Sequence, residues 1–214
     1  FIAQLGGSLL ARLVVVSNRV SAPKSGTRAG GLEVAVMASL KRNPGIWFGW
    51  SGRVSETSLE TRRIDRGDIS YILADLPTEA YNEFYYGYAN RVLWPILHYR
   101  LDLAEFSRQE LSGYTKVNEH FAAVLHKILE PDDVVWVHDY HFLLLAKALR
   151  ELGHKNRIGF FLHTPFPPVE IITGLPHPEY GPAVARVEAP PGTSICEALR
   201  EDDIEVEHAC EMSC

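Results

Sequence analysis

Apolar and polar positions along the chain alternate between two periods, and the alternation itself points to a fold. Residues 12–17 form a short β-branched run, the pattern of a buried parallel strand. A polar loop rich in Pro, Gly and Ser covers 18–29, and Gly30-Gly31 opens an apolar-periodic helix over 32–41. A second strand is expected at 46–50. Residues 59–64 and 69–73, separated by Asp65-Arg66-Gly67-Asp68, read as a hairpin. A helix rich in aromatics starts after Pro77 and runs to about Tyr88, and a long amphipathic helix is expected over 104–129, closed by Pro131. Residues 134–138 are a strongly apolar strand, followed by a helix over 141–152 that Gly153 ends. Residues 157–163 are a further strand, entering the Pro-rich turn 164–168.

Strands alternating with helices predict an α/β, doubly wound, mostly parallel sheet of Rossmann-like type. In such sheets ligands sit beyond the carboxyl ends of the strands. That rule selects the positions after Ser17, after His138 and after His163, where the unusual polar residues cluster. No internal repeat is evident. From about Leu175 the alternation fails: Ala189–Thr193 is a breaker cluster, and 194–214 is acidic, Cys-rich and nearly free of aromatics. This tail reads as disordered, or at best one short helix around 195–200.

Composition refines this outline. With 46% hydrophobic and 22% charged residues over 214 positions, the chain has the make-up of a globular domain. The net charge of −6 is local: residues 188–214 hold eight acidic side chains against one basic, leaving 19 acidic and 20 basic in 1–187. No basic field invites nucleic acid. Cys196, Cys210 and Cys214 all lie in the tail, an odd set that gives no disulfide framework and favours a reducing, cytoplasmic setting. The longest apolar runs, such as 142–146, are far too short to span a membrane, and the opening residues carry neither an initiator Met nor a signal-peptide core.

Several residues could carry chemistry. Arg19 at a strand end, beside the Gly30-Gly31 helix start, could grip a phosphate through bidentate hydrogen bonds and the helix field; a surface arginine and a plain hinge explain the same pattern. Trp47 and Trp50 read as sharing one face of their strand, with Trp50, at the strand end, the better sugar platform and core packing the alternative. The aromatic segment 84–88, with Trp94 and His98-Tyr99-Arg100, fits either a carbohydrate surface or a helix core. Asp139, in His138-Asp139-Tyr140-His141, is either a ligand-binding carboxylate or a cap for the next helix. The spacing also suggests a metal site with His163 as a third nitrogen, although the extra carboxylates of a two-metal phosphoesterase are missing. His163, before its Pro-rich turn, points toward the same crevice as Asp139.

Six stretches, taken in order, carry a family resemblance: 12–19, 30–32, 47–52, 85–100, 135–141 and 157–171. Together they resemble the trehalose-6-phosphate synthases, retaining glucosyltransferases of the two-Rossmann-domain GT-B type. The resemblance spans roughly 12–176 and implies UDP-glucose (or another NDP-glucose) as donor and glucose 6-phosphate as acceptor, with no cofactor or metal. It implies that Arg19 and Tyr85 bind the acceptor phosphate, with Tyr86 the alternative to Tyr85. Trp50 and Trp94 would line the acceptor pocket, Gly30 and Gly31 would meet the donor diphosphate, and Asp139 would bond acceptor hydroxyls. His163 would contact the donor glucose. Retention would follow a front-face path in which the leaving phosphate takes the acceptor proton, so positioning and charge stabilisation supply the catalysis, not the paired carboxylates of glycosidases. The resemblance also allows a homo-oligomer for full-length members.

Residues 177–214 match nothing in that family and suggest a shifted reading frame or a fusion, and the second, nucleotide-gripping domain is expected to be absent. An inactive fragment bearing the acceptor site is therefore the leading expectation. A noncatalytic module that binds glucose 6-phosphate is the first alternative, and a metal-dependent phosphoesterase the second.

Overall fold

The strand at the centre of the molecule is the first one in the chain. In the computed structural model, which describes residues 11–20, 31–56, 60–168, 170–171 and, by backbone, 204–208, β1 (Leu13–Arg19) lies between β2 (Gly45–Ser55) and β5 (Val134–His138). The full order is β3-β4-β2-β1-β5-β6-β7, with β3 (Thr61–Arg66), β4 (Ile69–Pro77), β6 (Arg157–Leu162) and β7 (Ile204–His208). All neighbours are parallel except β3, an antiparallel edge joined to β4 through Gly67 at φ 58°. This is the Rossmann-like, doubly wound sheet that the alternating pattern predicts.

Chain direction dictates where the site can be. From β1 the chain moves outward through β2 to β4, then returns to the other flank of β1 as β5 and moves outward again through β6. The order reverses at β1, so the connections after β1 and β5 diverge and open a crevice at their carboxyl ends.

The sheet is buried on both faces. On one, Leu13, Val15, Trp47, Tyr71 and Leu73 pack against Val36 and Leu40 of α1 (Gly31–Arg42). On the other, Val14, Val16, Phe48, Trp50, Val135 and Val137 meet a helical layer. That layer is α2 (Thr78–Ala80), a π-helix (Tyr81–Leu93), α3 (Trp94–Leu97), α4 (Arg108–His126) and α5 (Leu145–Glu151). Trp47 and Trp50 thus lie on opposite faces, not one: they are three residues apart, and an odd separation reverses the side chain in a strand.

Other boundaries differ for local reasons. The long helix begins at Arg108 instead of 104, because the Ser107 hydroxyl accepts the Glu110 N–H at 3.4 Å as an N-cap. The expected helix over 141–152 is delayed until Leu145 by a 3-10 turn at Tyr140–Phe142. The aromatic helix runs on past Tyr88 to Leu97. Within the tail, Ile204–His208 forms a strand alongside β6, not a disordered segment; its Ile-Glu-Val-Glu alternation has the period of a half-buried strand. The start of the first hairpin strand at residue 59 and the short helix suggested for 195–200 lie outside the described residues.

Candidate functional site

The crevice is built from four strand ends. At the end of β1 the register with β2 slips by one: Ser17 pairs with Gly49, but Arg19 pairs with Trp50. The extra residue is a bulge, which re-aims the side chains beyond it. Arg19 is brought level with Trp50, and its guanidinium carbon lies 5.1 Å from the ring centroid. The same guanidinium packs on Gly52, whose φ of 84° and missing Cβ leave room for it. Buried Ser17 ties the turn down, accepting the Trp47 indole N–H at 2.9 Å and donating to the Arg19 carbonyl at 3.0 Å. Arg19 itself is exposed, its guanidinium lying over an aromatic floor.

That floor continues inward as a relay of rings. Trp50, 3% exposed, donates its indole N–H to the Arg53 carbonyl at 2.8 Å and lies 5.2 Å from Tyr85 and 5.6 Å from Tyr81. Tyr85 stacks on His141 with centroids 5.8 Å apart, and His141 stacks on Tyr140 at 4.2 Å. Tyr85 is therefore the tyrosine that faces the crevice, while Tyr86 is 58% exposed on the outer side of the helix.

Asp139 sits just past β5 at φ 70° and ψ 167°, a backbone conformation that L residues rarely adopt. Its N–H donates to the Phe161 carbonyl at 2.7 Å, which fixes it against β6. The side chain makes no cap hydrogen bond at the following turn, although the Tyr140 N–H that opens it favours the carboxylate form. Its Oδ1 is buried without a hydrogen-bond partner among the described residues. Burial pushes the carboxyl up from its ordinary range, opposed by the Tyr140 and His163 N–H groups and by the charges of His163 and His98.

Three histidines, His138, His141 and His163, lie at the same strand ends as this carboxylate. His163 Nε2 lies 3.3 Å from His138 Nδ1, with the rings stacked at 5.6 Å. Burial, with His163 beside it, lowers His138 to about 3. Burial alone lowers His141 to about 3, and neither of its ring nitrogens has a hydrogen-bond partner among the described residues. Both rings stay neutral in the fold. With Asn18 Oδ1, His138 Nε2 and Thr164 Oγ1, five residues at this edge bury polar atoms that have no hydrogen-bond partner among the described residues.

The remaining expected residues fall differently. Trp94 is 43% exposed and stacks on His98 at 4.1 Å, so it reaches the site through His98, whose charge acts on Asp139, and not through the Trp50–Tyr85 floor. Gly31 is the exposed first residue of α1 with nothing within 4 Å of an added Cβ; Gly30 lies outside the described residues. Among the described residues no three His, Cys, Asp or Glu side chains are grouped to hold a metal ion. Tyr81 carries no sequence signal for this crevice, His98 is legible only as part of the aromatic segment, and His141 only as a metal-ligand position in His138-Asp139-Tyr140-His141.

The mostly parallel sheet, with a crevice at its switch point, places the chain among Rossmann-like α/β domains. Residues 12–180 match the model of glycosyltransferase family 20, and the chain belongs to that family. It is 49% identical over 172 residues to the trehalose-6-phosphate synthase of Sinorhizobium fredii, covering 78% of this chain and 37% of that protein. Among solved structures it is similar to an alpha,alpha-trehalose-phosphate synthase (UDP-forming) from Burkholderia vietnamiensis, with TM-score 0.74 and 46% identity, covering 81% of this chain and 37% of that one. A synthase of the same kind from Burkholderia xenovorans, in complex with glucose-6-phosphate, gives TM-score 0.72 and 42% identity over 83% of this chain and 38% of that one. The 214 residues thus span little more than a third of the length of these relatives.

Proposed function

We propose that this chain forms the acceptor side of an enzyme that transfers glucose from UDP-glucose to glucose 6-phosphate, giving α,α-trehalose 6-phosphate. The observation that carries the reading is the exposed Arg19 guanidinium held over buried Trp50, one step from the Tyr85–His141–Tyr140 stack. A planar cation above an aromatic floor suits a sugar phosphate: the fork takes phosphate oxygens, and the rings take the C–H face of the sugar. Asp139, with an unanswered oxygen in the crevice, accepts a sugar hydroxyl and orients it.

In this reading the protein supplies no nucleophile. His163 sits beside the donor glucose, the departing diphosphate takes the acceptor proton, and the rate gain comes from positioning and charge stabilisation. Gly31, at the start of α1, lies against the diphosphate, and Gly30, next to it in the sequence, is assigned the same role. Turnover then requires the further length that the relatives possess, so these 214 residues bind acceptor but turn over negligibly by themselves. The cytoplasm is the compartment this chemistry expects.

Calorimetry tests the reading. Glucose 6-phosphate should bind saturably, free glucose at least about tenfold more weakly, and Arg19→Ala should remove that preference, since a charge-assisted contact contributes about 1.5–3 kcal/mol. Equal affinity for glucose and its phosphate in the unmodified chain would refute it. Binding without turnover even when the full family length is restored would instead favour a noncatalytic module that senses glucose 6-phosphate.

A further inference from the structure

We propose that His126 and His154 form a two-imidazole site for a borderline-soft divalent cation of the Zn²⁺ class, at the opposite end of the molecule from the crevice. His126 is the exposed last residue of α4, and His154 lies in the turn before β6. Their Nδ1 and Nε2 atoms are 2.9 Å apart, with the rings nearly perpendicular at 81°.

The hydrogen-bond network fixes the chemistry of one ring. Asn156 is buried and donates its side-chain amide to the carbonyls of Glu130, Pro131 and Asp133 at 2.7, 3.3 and 3.1 Å. Its Oδ1 is therefore oriented as an acceptor, and it lies 3.1 Å from His154 Nδ1. Neutral His154 must carry its proton on Nδ1, leaving the Nε2 lone pair directed at His126. This is the arrangement that outer partners impose on metal-binding histidines: the far nitrogen donates to a fixed oxygen, and the near one is free to coordinate.

His126 then has two options. It can donate its Nδ1–H to His154, or it can move the proton to Nε2 and present a second lone pair. Two nitrogens on arms of 2.0–2.1 Å around a tetrahedral ion stand roughly 3.3 Å apart, so coordination needs only a few tenths of an ångström of opening and a turn of the exposed His126 ring. The carbonyl end of a 19-residue helix favours a cation at this place. Lys127 and Lys155 flank the pair and oppose it, which limits the affinity. The His138–His163 pair, at 3.3 Å, has no such support: the outer nitrogen of His138 lacks a partner among the described residues.

The test is Zn²⁺ calorimetry on the full 214-residue chain, with Cys196, Cys210 and Cys214 alkylated so that thiolates cannot compete. One equivalent should bind. His126→Gln and His154→Gln should each weaken binding by at least about tenfold, the loss seen even for outer partners, while His163→Gln should leave it unchanged. A Zn²⁺ excess of about a hundredfold over its Kd should raise Tm by about 5–10 °C in the unmodified chain and not in the two variants. NMR guards against a variant that simply misfolds: Zn²⁺ should shift the His126 and His154 imidazole signals of the unmodified chain. Unchanged affinity in both variants, loss of binding in His163→Gln, or no shift at these two rings would overturn the proposal.

Discussion

The two ends of the central sheet are made of similar residues and treat them in opposite ways. At the amino end, Arg12 grips Asp133 through two bonds of 2.9 and 2.7 Å and also reaches the Ile128 carbonyl. Asp133 accepts the Glu130 N–H, and Asn156 ties three carbonyls of the same turn. Charge there is answered by charge, and amide by carbonyl. At the carboxyl end, Asp139, His138, His141, Asn18 and Thr164 each bury a polar atom without a partner among the described residues, and Asp139 holds a strained φ. Buried polar groups cost stability unless paired. A fold that pairs them at one end and leaves them unpaired at the other keeps the second end for something that arrives.

Breaking the answered end should cost most. Asp133→Ala leaves the half-buried Arg12 guanidinium with only the exposed Glu130 carboxylate and removes the acceptor of the Glu130 N–H, and should destabilise the chain by about 3 kcal/mol, read as a fall in the denaturation midpoint. The unanswered end should respond in the opposite direction. Asp139→Gly relieves the positive φ and a buried carboxyl, so stability should rise by about 1–2 kcal/mol while glucose 6-phosphate binding is lost.

The neutral histidines should give that end a pH signature. Unfolded histidine titrates near 6.5, whereas His138 and His141 are held to about 3. Below about pH 6.5 the unfolded chain therefore binds protons that the folded chain refuses, and stability falls as pH drops toward 3. The slope from the pair is at most about 2.7 kcal/mol per pH unit. The raised Asp139 carboxyl works the other way, protonating first in the fold, and so softens the lower part of the decline. His141→Phe, which keeps a ring between Tyr85 and Tyr140, should remove about half of the slope in an acid titration followed by circular dichroism. The smallest stability effect belongs to Arg19→Ala, within about 0.5 kcal/mol for an exposed side chain, although the same change should weaken acceptor binding strongly.

Much of the fold could be read from period alone. The runs at 12–17, 46–50, 134–138 and 157–163 are apolar because both faces of their sheet are covered, and their ends located the crevice. What escaped the sequence was geometry that no period encodes. The bulge after Ser17 depends on how β1 meets β2, and it alone brings Arg19 beside Trp50. The parity of Trp47 and Trp50 is legible in their spacing, and so is Ser107 as an N-cap residue. His141 was visible as a motif member; that it lies buried between two tyrosines follows from the π-helix and the 3-10 turn, which have no signature in hydropathy. The strand Ile204–His208 is hidden by the acidic composition around it, although its alternation has the period of a strand.

Histidine imidazole NMR during a glucose 6-phosphate titration tests the contrast between the two ends most directly, because each end carries its own histidines. Saturable shifts are expected at His138, His141 and His163, with none at His126 and His154. Shifts confined to His126 and His154, or none at the three crevice rings at saturating acceptor, would overturn the assignment of the acceptor site to the carboxyl end.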